Sequence, residues 1–312
     1  MLMTGELAFI FPGQGSQYVG MGSSFYAEYE LARSIFLEAE AVVGVPLRKY
    51  CFEGPLEELT KTQVAQPAIL TLEYIIYRLL TEAGVNPAWV AGHSLGEYAA
   101  VVASGALSFA DALKLVQKRA AYMAAVSVQG GMAAIINCPP AHLEKMLNEL
   151  ATEGVIEPAN LNSPSQIVVS GELPLVEKLV AKVKEEGVGK AIPLAVQGAF
   201  HSSLMVPAAR RFRADLEETS FSPPTTPLIA NVTGEEVTSA GDFQRLLEEQ
   251  IYSPVRWEAI TRRLCALGCT MFLEVGGKVL SGLVKKTCAE VNTVSIREAD
   301  EFKIVLAKLR EV

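Results

Sequence analysis

Ala91-Gly92-His93-Ser94-Leu95-Gly96-Glu97-Tyr98-Ala99-Ala100 is the stretch on which the reading of this chain turns. It contains a G-x-S-x-G pentapeptide, Gly92 to Gly96. Ala88-Trp89-Val90-Ala91 before it reads as a short buried strand, and Glu97 to Ala103 after it is rich in helix formers. Strand, sharp turn and helix are the setting of a nucleophile elbow. The two glycines leave room for a turn that holds Ser94 in a strained conformation with its hydroxyl clear of the backbone. The turn also puts Ser94 at a helix N-terminus, where free N–H groups favour developing negative charge. The plainer reading is a glycine-rich turn with a serine cap. The pentapeptide alone does not separate the two.

The bulk of the chain sets bounds on both readings. At 312 residues it has room for one large domain or a large one carrying a smaller insert. Half the residues are hydrophobic and a fifth are charged, enough for a sizeable core and too apolar for disorder. A net charge of -8 without any Lys/Arg run argues against general nucleic-acid binding. Five scattered cysteines, Cys51, Cys138, Cys265, Cys269 and Cys288, make no disulfide framework and fit a reducing compartment. Cys265 and Cys269 stand one helical turn apart with no further ligands beside them, so core packing is expected there and a metal is not. No signal peptide and no apolar stretch of membrane-spanning length is found, so a cytoplasmic protein is expected.

Outward from the elbow, the chain alternates strands and helices. Leu7-Ala8-Phe9-Ile10-Phe11 is a continuous apolar run, as for a strand buried on both faces. It runs into Pro12-Gly13-Gln14-Gly15-Ser16-Gln17, a loop with neither P-loop nor dinucleotide spacing, and then a helix over 23–43. A second helix is expected over 67–83, and Ser108 caps another, with Asp111 in its first turn, running to about Val126. From Met132 to Val196 the order becomes β-α-β-β-α-β, with strands at 132–136, 158–162, 166–170 and 191–196 and helices at 140–152 and 173–186. That order is the ferredoxin-like split βαβ unit. The chain then returns to α/β alternation: a helix from Phe200 through Leu216, a strand at 228–232, helices at 243–249 and 257–267, a strand at 271–275 and a last helix at 301–309. The fold class expected is α/β: an α/β-hydrolase-like catalytic domain with a parallel central sheet over 1–128 and 198–312. A ferredoxin-like subdomain over 129–197 is inserted into it.

A serine nucleophile needs a base, and only His93, His142 and His201 are available. His93 lies inside the turn, where its side chain should point elsewhere, and His142 belongs on a solvated helix face. His201 falls where the insert rejoins the main domain, so elimination favours it. In the chain order of an α/β-hydrolase the triad acid falls between Ser94 and His201. Asp111 starts a helix, and the other acids there are assigned to the insert's helices and turns, so none stands out. A Ser–His dyad with a neutral acceptor behind the imidazole is therefore expected. Such a dyad suits a thioester better than an amide, because the imidazolium is less stabilised.

At this point the residues add up to a resemblance. Phe11-Pro12-Gly13-Gln14-Gly15-Ser16-Gln17, Gln66-Pro67-Ala68, Gly92-His93-Ser94-Leu95-Gly96-Glu97-Tyr98, Gln117-Lys118-Arg119, Gly198-Ala199-Phe200-His201-Ser202 and Gln250-Ile251-Tyr252-Ser253-Pro254-Val255 occur in this order. Over nearly its whole length the chain resembles the malonyl-CoA:acyl carrier protein transacylases and the related acyltransferase domains of polyketide synthases. The resemblance implies Ser94 as the acylated nucleophile, His201 as its base, and the backbone N–H groups of Gln14 and Leu95 as an oxyanion hole. It implies that Arg119 holds the malonyl carboxylate by a forked pair, although Arg119 taken alone would be a solvated helix residue. Gln250 would orient His201 by its carbonyl or by its side chain, and Asn162 would line the cleft from the insert. Phe200, directly before the histidine, and Leu95 match the malonyl-using pattern, a bulky ring leaving little room for a 2-methyl branch.

What the resemblance implies overall is ping-pong transfer from malonyl-CoA to the phosphopantetheine thiol of an acyl carrier protein. That carrier is supplied in trans, the transferase is a monomer, and no cofactor or metal takes part. Fatty-acid and polyketide synthesis are equally open. A serine esterase or thioesterase of related fold, and a carrier-binding module with a dead site, are the rival readings. Arg210, Arg211 and Arg213, or Lys285 and Lys286, are candidates for contact with an acidic carrier. One departure is noted: the family's Gly-Pro-Gly after the Glu-Val strand is here Gly276-Gly277-Lys278, one residue short.

Overall fold

The computed structural model describes residues 6–196 and 198–310. Gln197, the last residue of the expected insert, lies outside them. The first half of the chain comprises β1 (Glu6–Phe11), α1 (Ser23–Glu28), α2 (Glu30–Val43), α3 (Leu47–Glu53), α4 (Leu56–Thr60), α5 (Thr62–Glu82), β2 (Trp89–Gly92), α6 (Gly96–Ala103) and α7 (Phe109–Ala124). There follow β3 (Gly130–Ile136), α8 (Pro140–Leu150), β4 (Ile156–Ser163), β5 (Gln166–Glu172), α9 (Leu173–Glu186) and β6 (Lys190–Pro193). After a 3-10 turn at Ser203–Met205 come α10 (Val206–Glu217), β7 (Leu228–Ile229), α11 (Ala240–Gln250), α12 (Trp257–Ala266), β8 (Cys269–Val275), α13 (Leu280–Thr287), β9 (Asn292–Ile296) and α14 (Ala299–Arg310).

This is a mixed α/β architecture with two sheets. One is parallel, in the order β7-β2-β1-β8-β9; the other is antiparallel, in the order β4-β5-β3-β6. In β1, alternate side chains point to opposite faces. Leu7, Phe9 and Phe11 join the cluster packed with Leu72, Ile76, Tyr98 and Val116 of α5, α6 and α7. Ala8 and Ile10 join the cluster with Trp257, Ile260 and Leu264 of α12 and Leu280 and Val284 of α13. Helices on both faces explain why this strand reads as an unbroken apolar run. The antiparallel sheet has a core of its own, in which Ala133, Ile135 and Val169 meet Leu143, Leu147, Leu175 and Leu179 of α8 and α9.

Several boundaries differ from the sequence reading, each for a physical reason. The helix expected over 23–43 is broken at Tyr29, which is extended (φ -116°, ψ 125°). Its ring packs edge-on against Phe302 of α14, 5.8 Å away, a contact with the far end of the chain. The helix expected from Pro67 starts at Thr62, so Pro67 lies inside it. The proline is a buried member of a helix whose inner face is held by tertiary packing. The strand expected over 228–232 stops at Ile229, because Asn231 turns its side chain into the elbow. Cys265 and Cys269 do not share a helix: α12 ends before Gly268 (φ +93°), and Cys269 opens β8. All five cysteines are free thiols. The helices α3, α4 and α13 and the strand β9 were not anticipated.

Because β1 and β2 run parallel with Phe11 opposite Gly92, the loops that follow them emerge together at the carboxyl edge of the sheet. Among the described residues no helix is long and apolar enough to cross a membrane.

Candidate active site

The elbow is as tight as its glycines require. A Cβ on Gly92 would lie 2.0 Å from the Gly96 carbonyl, and one on Gly96 would lie 2.0 Å from the Phe11 oxygen. Ser94 adopts φ 52°, a left-handed conformation that a non-glycine residue holds only when its surroundings impose it. Here Asn231 imposes it from both sides. Its Oδ1 accepts from the Ser94 N–H at 2.7 Å and its Nδ2 donates to the Gly92 carbonyl at 2.5 Å. Ser94 is therefore no helix cap; Leu95 stands at the N-cap of α6, with no side-chain bond.

The Ser94 Oγ lies 2.8 Å from Nε2 of His201, whose Nδ1 lies 2.8 Å from the Gln250 carbonyl. A carbonyl only accepts, so Nδ1 carries the proton and Nε2 is free to take one from the serine. His201 is itself held at φ 58° and buried. Burial, with the Arg119 charge beside it, pushes its pKa down to about 3, so the imidazole is neutral and ready to act as a base.

Arg119 extends from α7 into the same spot and is only 1 % exposed. Its guanidinium donates to Ser94 Oγ at 3.1 Å, to Gln250 Oε1 at 2.9 Å and to Gln66 Oε1 at 2.9 Å. Its charge centre lies 5.6 Å from the Tyr98 ring. Among the described residues no carboxylate is paired with it. Burial depresses its pKa below the usual arginine value. A buried guanidinium facing only neutral acceptors is ready for an anion.

Gln250 ties these groups together. Besides the carbonyl on His201 and the Oε1 on Arg119, its Nε2 donates to the Ser94 carbonyl at 2.8 Å and to Glu97 Oε2 at 2.5 Å. The other Glu97 oxygen accepts from the Asn231 N–H at 2.8 Å. Burial pushes the Glu97 carboxyl up to about 7, against the pull of those two N–H bonds and of Arg119. The side of the site toward β1 is formed by Gly13 and Gln14. A Cβ on Gly13 would come within 2.5 Å of the His93 carbonyl, so the loop backbone rests on the elbow. Among the described residues neither the Gln14 N–H nor the Leu95 N–H is used in a hydrogen bond. A cleft of about 630 Å³ opens from Gln14 between Leu56, Thr60, Lys61 and Gln63 on one side and Ala195 and Val196 on the other.

The sequence-derived residues thus meet in one place, with some differences of detail. His93 turns away from Ser94, as expected, and its Nε2 lies 2.8 Å from Asn162 Oδ1 of β4. Asn162 is buried, His93 half-buried, and Asn162 meets the elbow through that contact. His142 sits on the surface, paired with Glu186 at 2.6 Å. Phe200 is buried, its ring over Gly198. Gln250 uses both its carbonyl and its side chain, where the sequence left the choice open. Three further members, Gln66, Glu97 and Asn231, were missed. Glu97 and Asn231 are single polar residues in otherwise apolar runs, Leu95 to Ala103 and Leu228 to Val232, which is the signal of a buried polar group with partners. Among the described residues no group of three or more His, Cys, Asp or Glu gathers as metal ligands would.

A hydroxyl on a strained elbow, a neutral imidazole against it and two free N–H groups nearby can carry an acyl group through a serine ester. Fold and site together define an α/β protein of the serine acyl-transfer class. The chain belongs to the acyl transferase domain family, whose model matches residues 8–298. It is 42% identical over 310 residues to the malonyl CoA-acyl carrier protein transacylase of Bacillus subtilis, covering 98% of each chain. The crystal structure of malonyl CoA-acyl carrier protein transacylase from Clostridium perfringens superposes with a TM-score of 0.92 at 36% identity, covering 98% of both chains. A type II PKS acyl-carrier protein in complex with its malonyl-transacylase contains a chain similar at TM-score 0.94 and 34% identity, covering 97% of this chain and 99% of that one.

Proposed function

We propose that this acyltransferase moves malonyl from malonyl-CoA to the phosphopantetheine thiol of an acyl carrier protein, through a malonyl ester on Ser94. The observation that carries the choice of acyl group is Arg119, a buried cation 3.1 Å from the nucleophile with no carboxylate partner among the described residues. An acyl chain with a free carboxylate at its far end supplies that partner, and a neutral acyl chain does not.

In the first half-reaction Ser94 Oγ attacks the thioester carbonyl as its proton passes to Nε2 of His201. The oxyanion is received by the N–H groups of Gln14 and Leu95; such a donor contributes about 3–4 kcal/mol of transition-state stabilisation. The C–S bond breaks, and the CoA sulfur leaves with the proton from His201. In the second, the carrier thiol gives its proton to His201 and its sulfur attacks the ester; Ser94 Oγ departs and recovers the proton. Gln250 holds the imidazole in the required tautomer through its carbonyl. Phe200 disfavours a 2-methyl branch, by about 1–3 kcal/mol per methyl. The reaction needs no metal or bound cofactor. The carrier comes in trans, serving fatty-acid or polyketide synthesis, and we read the enzyme as a cytoplasmic monomer.

We read the parallel sheet with its helices, 1–128 and 198–312, as an α/β-hydrolase-like catalytic domain. The antiparallel unit, 129–197, is a ferredoxin-like insert whose β-α-β-β-α-β order and separate core support that division. Intact-mass measurement after mixing with malonyl-CoA tests the function. One malonyl per chain is expected, absent in Ser94→Ala. No added mass, or mass retained in Ser94→Ala, sinks the proposal. A thioesterase would instead release malonate at rates comparable to transfer when no carrier is present.

A further inference from the structure

Among the described residues no carboxylate touches His201, yet a buried carboxylate lies one residue away from it. Glu97 is 2% exposed and receives two N–H groups, from Gln250 Nε2 and from the Asn231 backbone. Each donor belongs to a residue that holds a different part of the machinery. Gln250 carries the carbonyl on His201 Nδ1, the acceptor for Arg119 and a donor to the Ser94 carbonyl. Asn231 clamps the elbow at Gly92 and Ser94. We infer that Glu97 is a positioning residue for acyl transfer, acting through Gln250 and Asn231 to keep base, nucleophile and arginine in one geometry. It takes the task of a triad acid without touching the histidine.

The donor count explains why the residue must be an acid. A carboxylate offers acceptors to both neighbours, whereas the isosteric amide of Glu97→Gln sets an NH2 group against one of them. Gln250 cannot turn its own amide over to compensate, because its Oε1 accepts from Arg119 and its Nε2 also donates to the Ser94 carbonyl. With the NH2 set against Gln250, that residue shifts and the carbonyl on His201 shifts with it. With the NH2 set against the Asn231 N–H, the clamp on the elbow shifts instead. A purely structural alternative is that Glu97 only stabilises the first turn of α6, where it lies near the positive end of the helix. That alternative predicts lost stability with unchanged chemistry in the folded fraction.

The inference rests on the malonyl-transfer reading for its acyl donor, and the test separates the two. The rate constant for Ser94 acylation at saturating malonyl-CoA is measured by rapid quench and intact mass. The proteins are the wild type, Glu97→Gln, Gln250→Met and the double variant, each normalised to its folded fraction by circular dichroism. Glu97→Gln is expected to lose about 10–100-fold in this rate constant with KM for malonyl-CoA changed by no more than about threefold, as for a misplaced catalytic group. The double variant is expected to be no slower than the slower single one, because both act through one contact. A Glu97→Gln rate within twofold of wild type, a loss confined to KM, or losses that multiply in the double variant would overturn the inference. Should Glu97→Gln not fold, Glu97→Asp keeps the charge but falls a methylene short of Gln250. Its rate is expected to drop about tenfold, and a wild-type rate would overturn the inference. If the wild type takes no malonyl, the malonyl-transfer reading fails by itself. The rate of Ser94 modification by a neutral fluorophosphonate then tests Glu97: a drop of the same order in Glu97→Gln supports it, and an unchanged rate overturns it.

Discussion

Ser94 and His201 are both held at positive φ, 52° and 58°, and neither is a glycine. Each such residue costs on the order of 1–3 kcal/mol and persists only where its neighbours dictate it. What the strain achieves is a short line of atoms, Oγ to Nε2 and Nδ1 to a carbonyl, with Arg119 across from it. Arg119→Ala is expected to lower kcat/KM for malonyl-CoA by about 2–5 kcal/mol, the cost of removing one partner of a buried charge pair, and to lower that for acetyl-CoA much less. Equal losses in a side-by-side assay of the two donors would show that the arginine does not bind the acyl carboxylate. The pH dependence has a definite sign. With His201 down to about 3, its protonation plays no part above about pH 5. Glu97, up to about 7, offers an unprotonated oxygen to each of its two N–H donors only as a carboxylate, so protonation sets an O–H against one of them as pH falls through 7. The acylation rate is expected to decline below about pH 7 in the wild type and to be low and flat in Glu97→Gln, measured from about pH 5.5 to 8.

The elements matter through where they end. The C-terminal ends of β1 and β2 lie side by side, so the Gln14 loop and the elbow meet without any long-range folding of loops. The close passages at Gly92 and Gly96 have no room for a methyl group. Gly92→Ala is expected to destabilise the protein by at least about 3 kcal/mol, or to leave it unfolded, as read by thermal or denaturant unfolding. A midpoint near that of wild type would show that the turn can relax. The α5 helix makes a different point. A proline at 67 marks a helix start by local rules, yet α5 begins at Thr62 and carries Gln66 to the Arg119 guanidinium. Tertiary packing of its buried face outweighs the local preference.

At the scale of the whole molecule, the antiparallel sheet carries its own core but is tied to the site. The Leu161 N–H donates to the Val255 carbonyl, the Val255 N–H to the Ala159 carbonyl, and Asn162 holds His93. Leu179→Ala, in the middle of that core, is expected to cost about 2–5 kcal/mol of stability. The folded fraction should keep its Ser94 acylation rate; a loss of rate at full folding would mean that the two parts do not separate energetically. The basic residues named as carrier contacts are not equivalent. Arg213 is engaged by Glu217 and Glu248, and Lys285 by the carbonyls of Ala289 and Val291. Arg210 and Arg211 are exposed, Arg211 lying 4.5 Å over the Tyr122 ring. Charge reversal at Arg210 and Arg211 is expected to raise KM for the carrier several-fold at low salt without changing malonyl-CoA acylation, in a two-step kinetic assay. An unchanged KM would move the contact elsewhere.

Sequence alone determined the strand-turn-helix at Gly92–Gly96, the doubly buried β1, the β-α-β-β-α-β order from β3 to β6 and the pairing of Ser94 with His201. These rest on local rules: glycine where backbones nearly touch, periodicity of burial, and elimination among three histidines. Only the tertiary structure decided that Gln250 serves His201 through its carbonyl, that Arg119 is a buried cation instead of a solvated helix residue, and that Glu97 stands behind them. The reason is physical. A polar residue in an apolar run announces that it is buried, but its partners lie on α11 and after β7, more than a hundred positions away. Which donor meets which acceptor is set only once the sheets have packed.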